Sequence, residues 1–221
     1  MATRRAVIAH HLSIGDTMEN APGSCILCGT RERELLIERD PWKIYRCTSC
    51  SLGVLDPRPT GEELTALYTR EYFVSQYDEG AKPGSPEFKK WLSLLDHRVQ
   101  FFKPKKAKGR LLDIGCGNGY FLALCRSKGY EVQGIDISEW AAKYATETLG
   151  LPVRVGQIDD MELPGRHFDI ITLWHSLEHT RNPRYAIERA KDWLKANGIL
   201  VIEVPNYEGR DARSYGEDWI G

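Results

Sequence analysis

The stretch that most constrains the fold covers residues 110–120 and has the sequence RLLDIGCGNGY. A short apolar run of strand type, interrupted by Asp113, leads into three alternating glycines, and an apolar helical pattern follows at once. Glycines between a strand and a helix let a ligand lie against bare backbone, because a Cβ there would block close approach. The spacing is Gly-x-Gly-x-Gly, and Tyr120 stands where a dinucleotide fingerprint needs its last glycine. A ligand site of another kind is therefore predicted.

The C-terminal half of the chain alternates strand and helix patterns, which is typical of a parallel sheet. We predict an α/β fold with a doubly wound, mostly parallel, Rossmann-like sheet. Its predicted strands cover residues 110–114, 131–136, 152–156, 170–174 and 199–204. Its predicted helices follow the glycine loop as far as Gly129 and then cover residues 139–149 and 183–196.

The second predicted strand ends in Asp136, which lies 23 residues after Asp113. This is close to the offset of about 20 residues at which an acidic side chain meets ribose hydroxyls in nucleotide-binding folds. A carboxylate suits that role because it accepts hydrogen bonds from both hydroxyls. The alternative is that Asp136 caps the following turn, although Ser138 already supplies a helix N-cap. The pattern therefore favours Asp136 as a ribose ligand.

Four of the six cysteines form two Cys-x-x-Cys pairs, Cys25 with Cys28 and Cys47 with Cys50, separated by the 18 residues 29–46. Two such pairs at this spacing predict a tetrahedral four-thiolate zinc site. Such a site has no open coordination position, so the zinc is expected to be structural. The alternative is a pair of disulfides, which the cytoplasmic location that we expect disfavours.

Length, charge and hydropathy restrict the classes of function. A chain of 221 residues accommodates one α/β domain and a small appendage. The formal net charge of −1 and the pI near 6.6 give no basic signature, which argues against a nucleic-acid partner. No apolar run approaches the roughly 20 residues that span a bilayer. We therefore expect a cytoplasmic protein with no membrane partner. Residues 1–20 are expected to form a disordered tail.

The segment between the cysteines and the glycine loop carries its own helix signals. Thr60 and Glu63 form a capping box. Apolar residues at helical spacing predict an amphipathic helix over 87–102, and a mobile linker rich in Gly, Pro and charge precedes it. The predicted domains are thus a tail (1–20), a zinc ribbon (21–56), a helical leader or lid with its linker (57–105) and a ligand-binding domain (106–221).

The glycine loop, preceded by an acidic strand residue, resembles motif I of the class I methyltransferases that use S-adenosylmethionine. The resemblance implies that the loop packs against the methionine part of this cofactor, that Asp113 helps to hold its amino group, and that S-adenosylhomocysteine is the product. In that family the loop after the third strand holds the adenine, often with an Asp directly after its Gly, where this chain has Gln157. The cofactor-binding residues that it implies are Asp113, Gly115, Cys116, Gly117, Asn118, Gly119, Asp136, Ile137, Gln157, Ile158 and Trp174.

His175, Glu178 and His179 follow the fourth predicted strand. His-x-x-Glu-His is also a metalloprotease signature, but that motif needs a long helix and a further ligand, whereas here it precedes a helix start at Asn182-Pro183. The family resemblance places this loop opposite the methyl group, so His175 and His179 are candidate catalytic residues, as general base or substrate orienter. Two alternatives are a divalent ion held by all three side chains, and a His179 that only braces the loop.

The zinc ribbon, the Pro-Arg-Pro turn and the aromatic segment after it resemble a group of bacterial methyltransferases that act on sugars, cell-surface glycans or secondary metabolites. The resemblance implies a small-molecule or saccharide acceptor and either a lid or a packing role for Tyr68, Tyr72 and Phe73. It also implies two strands beyond residue 221, hence a C-terminally truncated chain with an exposed sheet edge. Such an edge predicts either a soft C-terminus or a homodimer formed through it. The alternatives are an RNA methyltransferase that grips nucleic acid with its ribbon, and a non-catalytic module that binds the cofactor or a partner protein.

Overall fold

The computed structural model describes residues 23–39, 42–77 and 80–216. The predicted tail (1–20) lies outside these residues. The described chain forms two sheets, a small one of three strands and a larger one of five. No helix within the described ranges combines the length and the apolar character needed to cross a membrane.

The small sheet is antiparallel and lies within the segment predicted to be a zinc ribbon. Its strands are β1 (Arg33–Arg39), β2 (Trp42–Cys47) and β3 (Gly53–Asp56), in that spatial order. Among its described residues only Cys25, Ile26 and Cys47 are buried apolar side chains. Such a small apolar core cannot offset the entropy of ordering the segment, so further cross-links are needed.

Three helices join the two sheets: α1 (Gly61–Leu67), α2 (Arg70–Tyr77) and α3 (Pro86–Val99). Both hydrogen bonds of the predicted capping box are present at the start of α1. The linker prediction is wrong at Ala81, which is buried and whose backbone N–H donates to the Tyr120 hydroxyl. This part of the chain is held against the helix that follows the glycine loop.

The larger sheet is parallel throughout, with the order β6-β5-β4-β7-β8. Its strands are β4 (Arg110–Ile114), β5 (Glu131–Asp136), β6 (Val153–Val155), β7 (Phe168–Trp174) and β8 (Leu194–Glu203). Helices α4 (Tyr120–Ser127), α5 (Glu139–Lys143) and α6 (Pro183–Trp193) connect them, and α7 (Arg210–Tyr215) follows β8. The doubly wound, Rossmann-like prediction is confirmed.

The strand order determines where a ligand can bind. The chain moves from β4 to β5 and β6 on one side, and then returns to β7 and β8 on the other. The carboxyl end of β4 is therefore a topological switch point, where open α/β sheets form their binding crevice. Side chains of β4 alternate between the two faces, and Leu111 and Leu112 belong to separate apolar clusters. A core on each face thus holds β4 at the centre.

The predicted boundary between the helix at 183–196 and the strand after it is wrong. The last helix was expected to continue to residue 196, but α6 ends at Trp193 and β8 begins at Leu194. Trp193 is buried in the core, and Leu194 pairs with Phe168 across the sheet, so tertiary packing ends the helix early. The helix after β5 also widens in its last turn. There the Leu149 N–H donates to the Tyr144 carbonyl, five residues earlier in the chain.

Candidate functional site

A cavity of about 570 Å³ opens at the switch point, beyond the carboxyl ends of β4, β5 and β7. This volume is within the range of small-molecule and cofactor sites. All but one of the residues predicted to bind the cofactor or to act in catalysis line it. They are Asp113, Gly115, Cys116, Gly117, Asn118, Asp136, Ile137, Gln157, Ile158, Trp174, His175 and His179. The exception is Gly119, which faces Leu151 and Ala145 and lets α4 approach the helix after β5 closely.

The glycine loop requires glycine for steric reasons that differ along its length. Gly115 has φ +75°, and a Cβ there would lie 2.4 Å from the Cβ of Ser176. Gly117 has φ +53°, and its backbone N–H donates to Asp136 Oδ2 at 2.6 Å. The loop therefore packs against the turn that follows β7 on one side and is hydrogen-bonded to the end of β5 on the other. Its backbone, free of side chains, faces the cavity.

Asp113 is a buried carboxylate beside this loop. Its Oδ1 accepts a hydrogen bond from the Thr172 hydroxyl at 2.6 Å. Burial raises its pKa to about 7, while the Thr172 hydrogen bond and the positive charge of Arg98 act in the opposite direction. A cationic ligand in the cavity would favour the ionised carboxylate.

Asp136 is buried as well, and the backbone uses both of its oxygens. Oδ2 accepts from the Gly117 N–H, and Oδ1 accepts from the Ser138 N–H at 2.9 Å. Burial raises its pKa to about 6 even though these two donors lower it. Ser138 is the N-cap of α5, as expected. Asp136 thus braces the glycine loop through Gly117 and caps the following turn through Ser138, the second being the alternative considered from the sequence. It also lines the cavity. Its contact with ribose stays a prediction.

Several buried polar atoms in the cavity wall have no hydrogen-bond partner among the described residues. They are Nδ2 and Oδ1 of Asn118, Nε1 of Trp174, Nε of Arg98 and Oδ1 of Asp159. Native proteins rarely leave buried polar atoms unpaired, because each costs free energy. Their concentration in one cavity indicates a polar ligand that fits against them.

Arg98 and Asp159 are site residues that sequence reasoning missed. Arg98 lies on α3, where Trp91 and Leu95 also face the cavity. It follows Leu95 by three positions, so it belongs to the same helical stripe. A charged residue on an otherwise apolar stripe was the available signal. Asp159 lies in the short turn Ile158–Asp160 after β6 and carries no comparable pattern in the sequence.

Aromatic side chains of the leader close one side of the cavity. Tyr68, Tyr72 and Phe73 all line it. The ring centroids of Tyr68 and His179 are 5.9 Å apart, and those of Phe73 and Trp140, which lies on α5, are 5.8 Å apart. Phe73 is buried, whereas Tyr72 is partly exposed. The segment therefore packs down and covers the site at the same time, and its opening as a lid stays a prediction.

The histidine loop follows β7 as a single short turn, Leu177–His179, which is not the long helix of the protease motif. His175 has φ +51°, and its ring lies between two carboxylates, with Nδ1 3.7 Å from Glu178 Oε1 and Nε2 3.7 Å from Glu203 Oε2. His179 Nε2 lies 3.9 Å from the same Glu178 oxygen. Both rings are about half exposed, which leaves them accessible to a substrate.

The four paired cysteines converge in the small sheet. The sulfurs of Cys25 and Cys50 are 3.6 Å apart, those of Cys28 and Cys47 3.5 Å, and all four lie within 4.8 Å of one another. A tetrahedral zinc with Zn–S bonds of about 2.3 Å holds its sulfurs about 3.8 Å apart, so the arrangement fits this ion. All six cysteines are free thiols. Across the described residues, no other group of three or more His, Cys, Asp or Glu side chains gathers in this way, the histidine loop included.

The sheet order and the cavity at its switch point define a Rossmann-like, doubly wound α/β fold. A family model described as a methyltransferase domain matches residues 88–221, more than half of the chain. The chain therefore belongs to the methyltransferase-domain family.

The chain also resembles individual proteins over part of its length. The chain is 34% identical over 116 residues to a ubiquinone biosynthesis O-methyltransferase of Glaesserella parasuis, covering 48% of each chain. It is 30% identical over 136 residues to protein MJ1123 of Methanocaldococcus jannaschii, covering 59% of this chain and 63% of that protein. The chain thus spans about half to just under two thirds of these relatives.

Among solved structures, the PH0226 protein of Pyrococcus horikoshii aligns with a TM-score of 0.50 at 23% identity, covering 66% of this chain and 68% of the other. The [4+2]-cyclase SpnF aligns with the same TM-score at 21% identity, covering 66% and 60%. These likenesses establish the fold, and the fold alone does not decide the reaction.

Proposed function

We propose that this chain is a methyltransferase that binds S-adenosylmethionine and transfers its methyl group to a small-molecule or saccharide acceptor. The observation that carries the proposal is the cavity against the glycine loop, whose walls hold unpartnered buried polar atoms on four residues. The family assignment to residues 88–221 covers every one of these residues.

The residues of the cavity match the chemical groups of this cofactor. Asp113 offers a carboxylate to the ammonium group, and Arg98, close enough to lower the pKa of Asp113, offers a guanidinium to the carboxylate of the same amino-acid end. Asn118 supplies an unpartnered amide, and Asp136 lies at the end of β5 for the ribose. When bound, the cofactor supplies a methyl group on a positively charged sulfur, which the two carboxylates favour electrostatically.

His175 is our candidate for the proton acceptor. Its ring nitrogens face Glu178 and Glu203, so an imidazolium formed by taking a proton from an acceptor hydroxyl or amine is stabilised from both sides. His179 stands beside Tyr68 and is better placed to orient the acceptor under the aromatic cover. Methyl transfer of this kind depends mainly on the alignment of the two reactants, which a covered cavity favours.

The ribbon is proposed to hold a structural zinc ion. Its sulfurs lie at distances that fit tetrahedral coordination, and the four thiolates leave no position for a substrate. A nucleic-acid acceptor is disfavoured because the chain has a formal net charge of −1.

Calorimetric titration with S-adenosylhomocysteine tests the cofactor assignment. We expect the zinc-loaded wild-type chain to bind, and Asp136→Asn to bind about tenfold or more weakly because one acceptor oxygen at the ribose is lost. Asp192→Asn is the matched control, since Asp192 is exposed on α6 and does not line the cavity. A folded wild-type chain that fails to bind the nucleoside contradicts the proposal. RNA binding that falls steeply with salt would instead support the RNA methyltransferase alternative.

A further inference from the structure

Glu203 lies at the carboxyl end of β8, where it pairs with Trp174, the last residue of β7. The backbone N–H of His175 donates to the Glu203 carbonyl at 2.9 Å, so these two residues are held side by side. One carboxylate oxygen of Glu203, Oε2, lies 3.7 Å from Nη2 of Arg98 and also 3.7 Å from Nε2 of His175. A single oxygen thus faces both a guanidinium of α3 and the proposed proton acceptor.

Neither of these two contacts is a complete hydrogen bond. The separation of 3.7 Å exceeds the usual nitrogen–oxygen range of about 2.7–3.2 Å, so Glu203 is attracted by both groups and fixed by neither. Its side chain is 40% exposed, and that of Arg98 is 20% exposed. Solvent weakens an ion pair of this kind, and a partner with better geometry displaces it. The Glu203 carboxylate can therefore move from Arg98 to His175.

The guanidinium of Arg98 has a binding edge that the described residues use only in part. Its Nε is buried and has no hydrogen-bond partner among them, while Nη2, on the same edge, faces the distant Glu203. Two such nitrogens donate in parallel and match the two oxygens of a carboxylate. The guanidinium carbon lies 4.9 Å from the centre of the Trp174 ring, and this cation–π contact restrains it. Because Arg98 lines the cavity, its edge fits a carboxylate on a ligand.

We propose that Glu203 is a positioning residue that exchanges partners when the cofactor binds. Arg98 pairs with the carboxylate of the cofactor through Nε and Nη2 and releases Glu203, whose side chain then holds the His175 ring for the acceptor. The proposal rests on the proposed function, because it assumes S-adenosylmethionine in the cavity and His175 as the proton acceptor.

The exchange predicts an order of binding. Without the cofactor, the Glu203 carboxylate is divided between Arg98 and His175, so the ring lacks a firm partner on that side. With the cofactor bound, the ligand satisfies Arg98, and His175 gains the carboxylate. The ring is thus held in place only when the methyl donor is present, which favours binding of the cofactor before the acceptor. By linkage, removal of the Glu203 charge should strengthen the binding of a ligand that carries a carboxylate.

The experiment measures binding of S-adenosylhomocysteine and of its decarboxylated analogue, which keeps the ammonium group, to the zinc-loaded chain by calorimetry. The wild type is expected to prefer S-adenosylhomocysteine by about tenfold, because the analogue leaves Arg98 without its ligand. In Glu203→Gln the competing group is neutral, so S-adenosylhomocysteine is expected to bind about threefold to tenfold more tightly than to the wild type. The affinity for the analogue is expected to stay the same or to fall.

Glu178→Gln is the matched control for the calorimetry. Glu178 also lies 3.7 Å from the His175 ring, but it forms no ion pair with Arg98 among the described residues. The ratio of the two affinities should therefore stay at the wild-type value in this variant, whereas it should rise in Glu203→Gln.

Nuclear magnetic resonance of His175 follows the other half of the exchange. The ring signals of His175 are identified by their absence in His175→Gln. In the wild type, S-adenosylhomocysteine is expected to shift them further than the decarboxylated analogue does, because only the first ligand releases Glu203. In Glu203→Gln this difference between the two ligands should vanish.

Each outcome decides the matter. A wild type that binds both compounds equally, or a Glu203→Gln variant that binds S-adenosylhomocysteine no more tightly, overturns the exchange while leaving the cofactor site intact. Equal changes for both compounds in the variant also overturn it, because a structural role alone produces that result. Equal shifts of the His175 signals by both ligands in the wild type overturn the release of Glu203. A wild type that binds neither compound removes the proposed function itself, and this proposal with it.

Discussion

Asp113 and Asp136 are single residues whose burial lowers the free energy of unfolding at a candidate binding site. Both carboxylates are buried at the ends of neighbouring strands, and burial raises the pKa of each, to about 7 and about 6. Buried carboxylates with raised pKa values in a cavity are typical of functional sites. A positively charged ligand beside them would favour their ionised forms.

The pH dependence of stability follows from these two residues. An Asp in an unfolded chain has a pKa of about 4, so between pH 4 and 7 the folded state binds more protons than the unfolded state. The free energy of unfolding therefore falls as the pH rises through this window. For Asp113 alone the loss between pH 5 and pH 8 is at most roughly 2–3 kcal/mol.

Asp113→Asn should remove that part of the slope. Relative to the wild type, the variant is expected to gain free energy of unfolding between pH 5 and pH 8, because the amide carries no charge at either pH. Urea unfolding of the ligand-free, zinc-loaded chains at both pH values measures the difference. Asp192→Asn, at an exposed position, should keep the wild-type slope. An Asp113→Asn variant with that same slope would show that Asp113 is ionised at pH 5 already.

At the scale of elements, the sequence predicted correctly those features in which one residue acts on the backbone next to it. The glycine loop, the capping box of Thr60 and the N-caps Ser138 and Asn182 are all present as expected. These features depend on one residue and its near neighbours. The end of α6 at Trp193 was missed because it depends on packing in the core, which no local pattern encodes.

The candidate site shows the same division. Residues near the glycine loop were predictable because the motif itself specifies a close approach between backbone and ligand. Asp159 was not, since its place in the cavity wall depends on a contact with Arg181, distant in sequence, that leaves its other carboxylate oxygen buried without a partner among the described residues. Gly119 belongs to the motif yet serves the packing of α4 and does not line the cavity. Spacing in the sequence thus locates the loop but does not tell its ligand-facing atoms from its packing atoms.

Two glycines with similar backbone angles separate steric from conformational effects. Gly115 has φ +75°, and a Cβ there would lie 2.4 Å from Ser176, whereas Gly129 has φ +90° and a Cβ there would have nothing within 4 Å. Gly129→Ala is expected to cost about 1–2 kcal/mol, the backbone strain alone. Gly115→Ala adds a clash with the histidine loop, so we expect a loss of roughly 3 kcal/mol or more and weaker binding of S-adenosylhomocysteine. Thermal unfolding and calorimetry test this, and equal losses for the two variants would contradict it.

At the scale of the whole molecule, the small sheet contacts the larger domain through a few polar groups. Arg46 bonds the Tyr207 hydroxyl and pairs with Glu208 at 3.3 Å, and Tyr207 donates to the Ser51 carbonyl. Arg184, on α6, donates to the Leu27 carbonyl. Neither of the two apolar clusters of the larger domain contains a residue of the small sheet. The two parts therefore have separate cores joined by a polar interface.

Removal of zinc tests this arrangement. Because the small sheet has few buried apolar side chains, the metal is expected to supply much of its folding free energy. Chelation should therefore unfold the small sheet and make Cys25, Cys28, Cys47 and Cys50 reactive toward a thiol reagent. The cavity and its sheet should persist, with the affinity for S-adenosylhomocysteine changed by less than about threefold, since the sites do not share a core.

The measurement combines metal analysis, thiol titration and calorimetric unfolding of the chain before and after chelation. One zinc per chain and two separate thermal transitions, of which only the lower depends on metal, are expected. Cys125 serves as the internal control, because it is buried in the larger core and should stay unreactive until the upper transition. Cys47→Ser should reproduce the chelated state without a chelator, since three thiolates bind zinc less well than four. A single transition that shifts as a whole on chelation would show instead that the polar interface at Tyr207 couples the two parts into one cooperative unit.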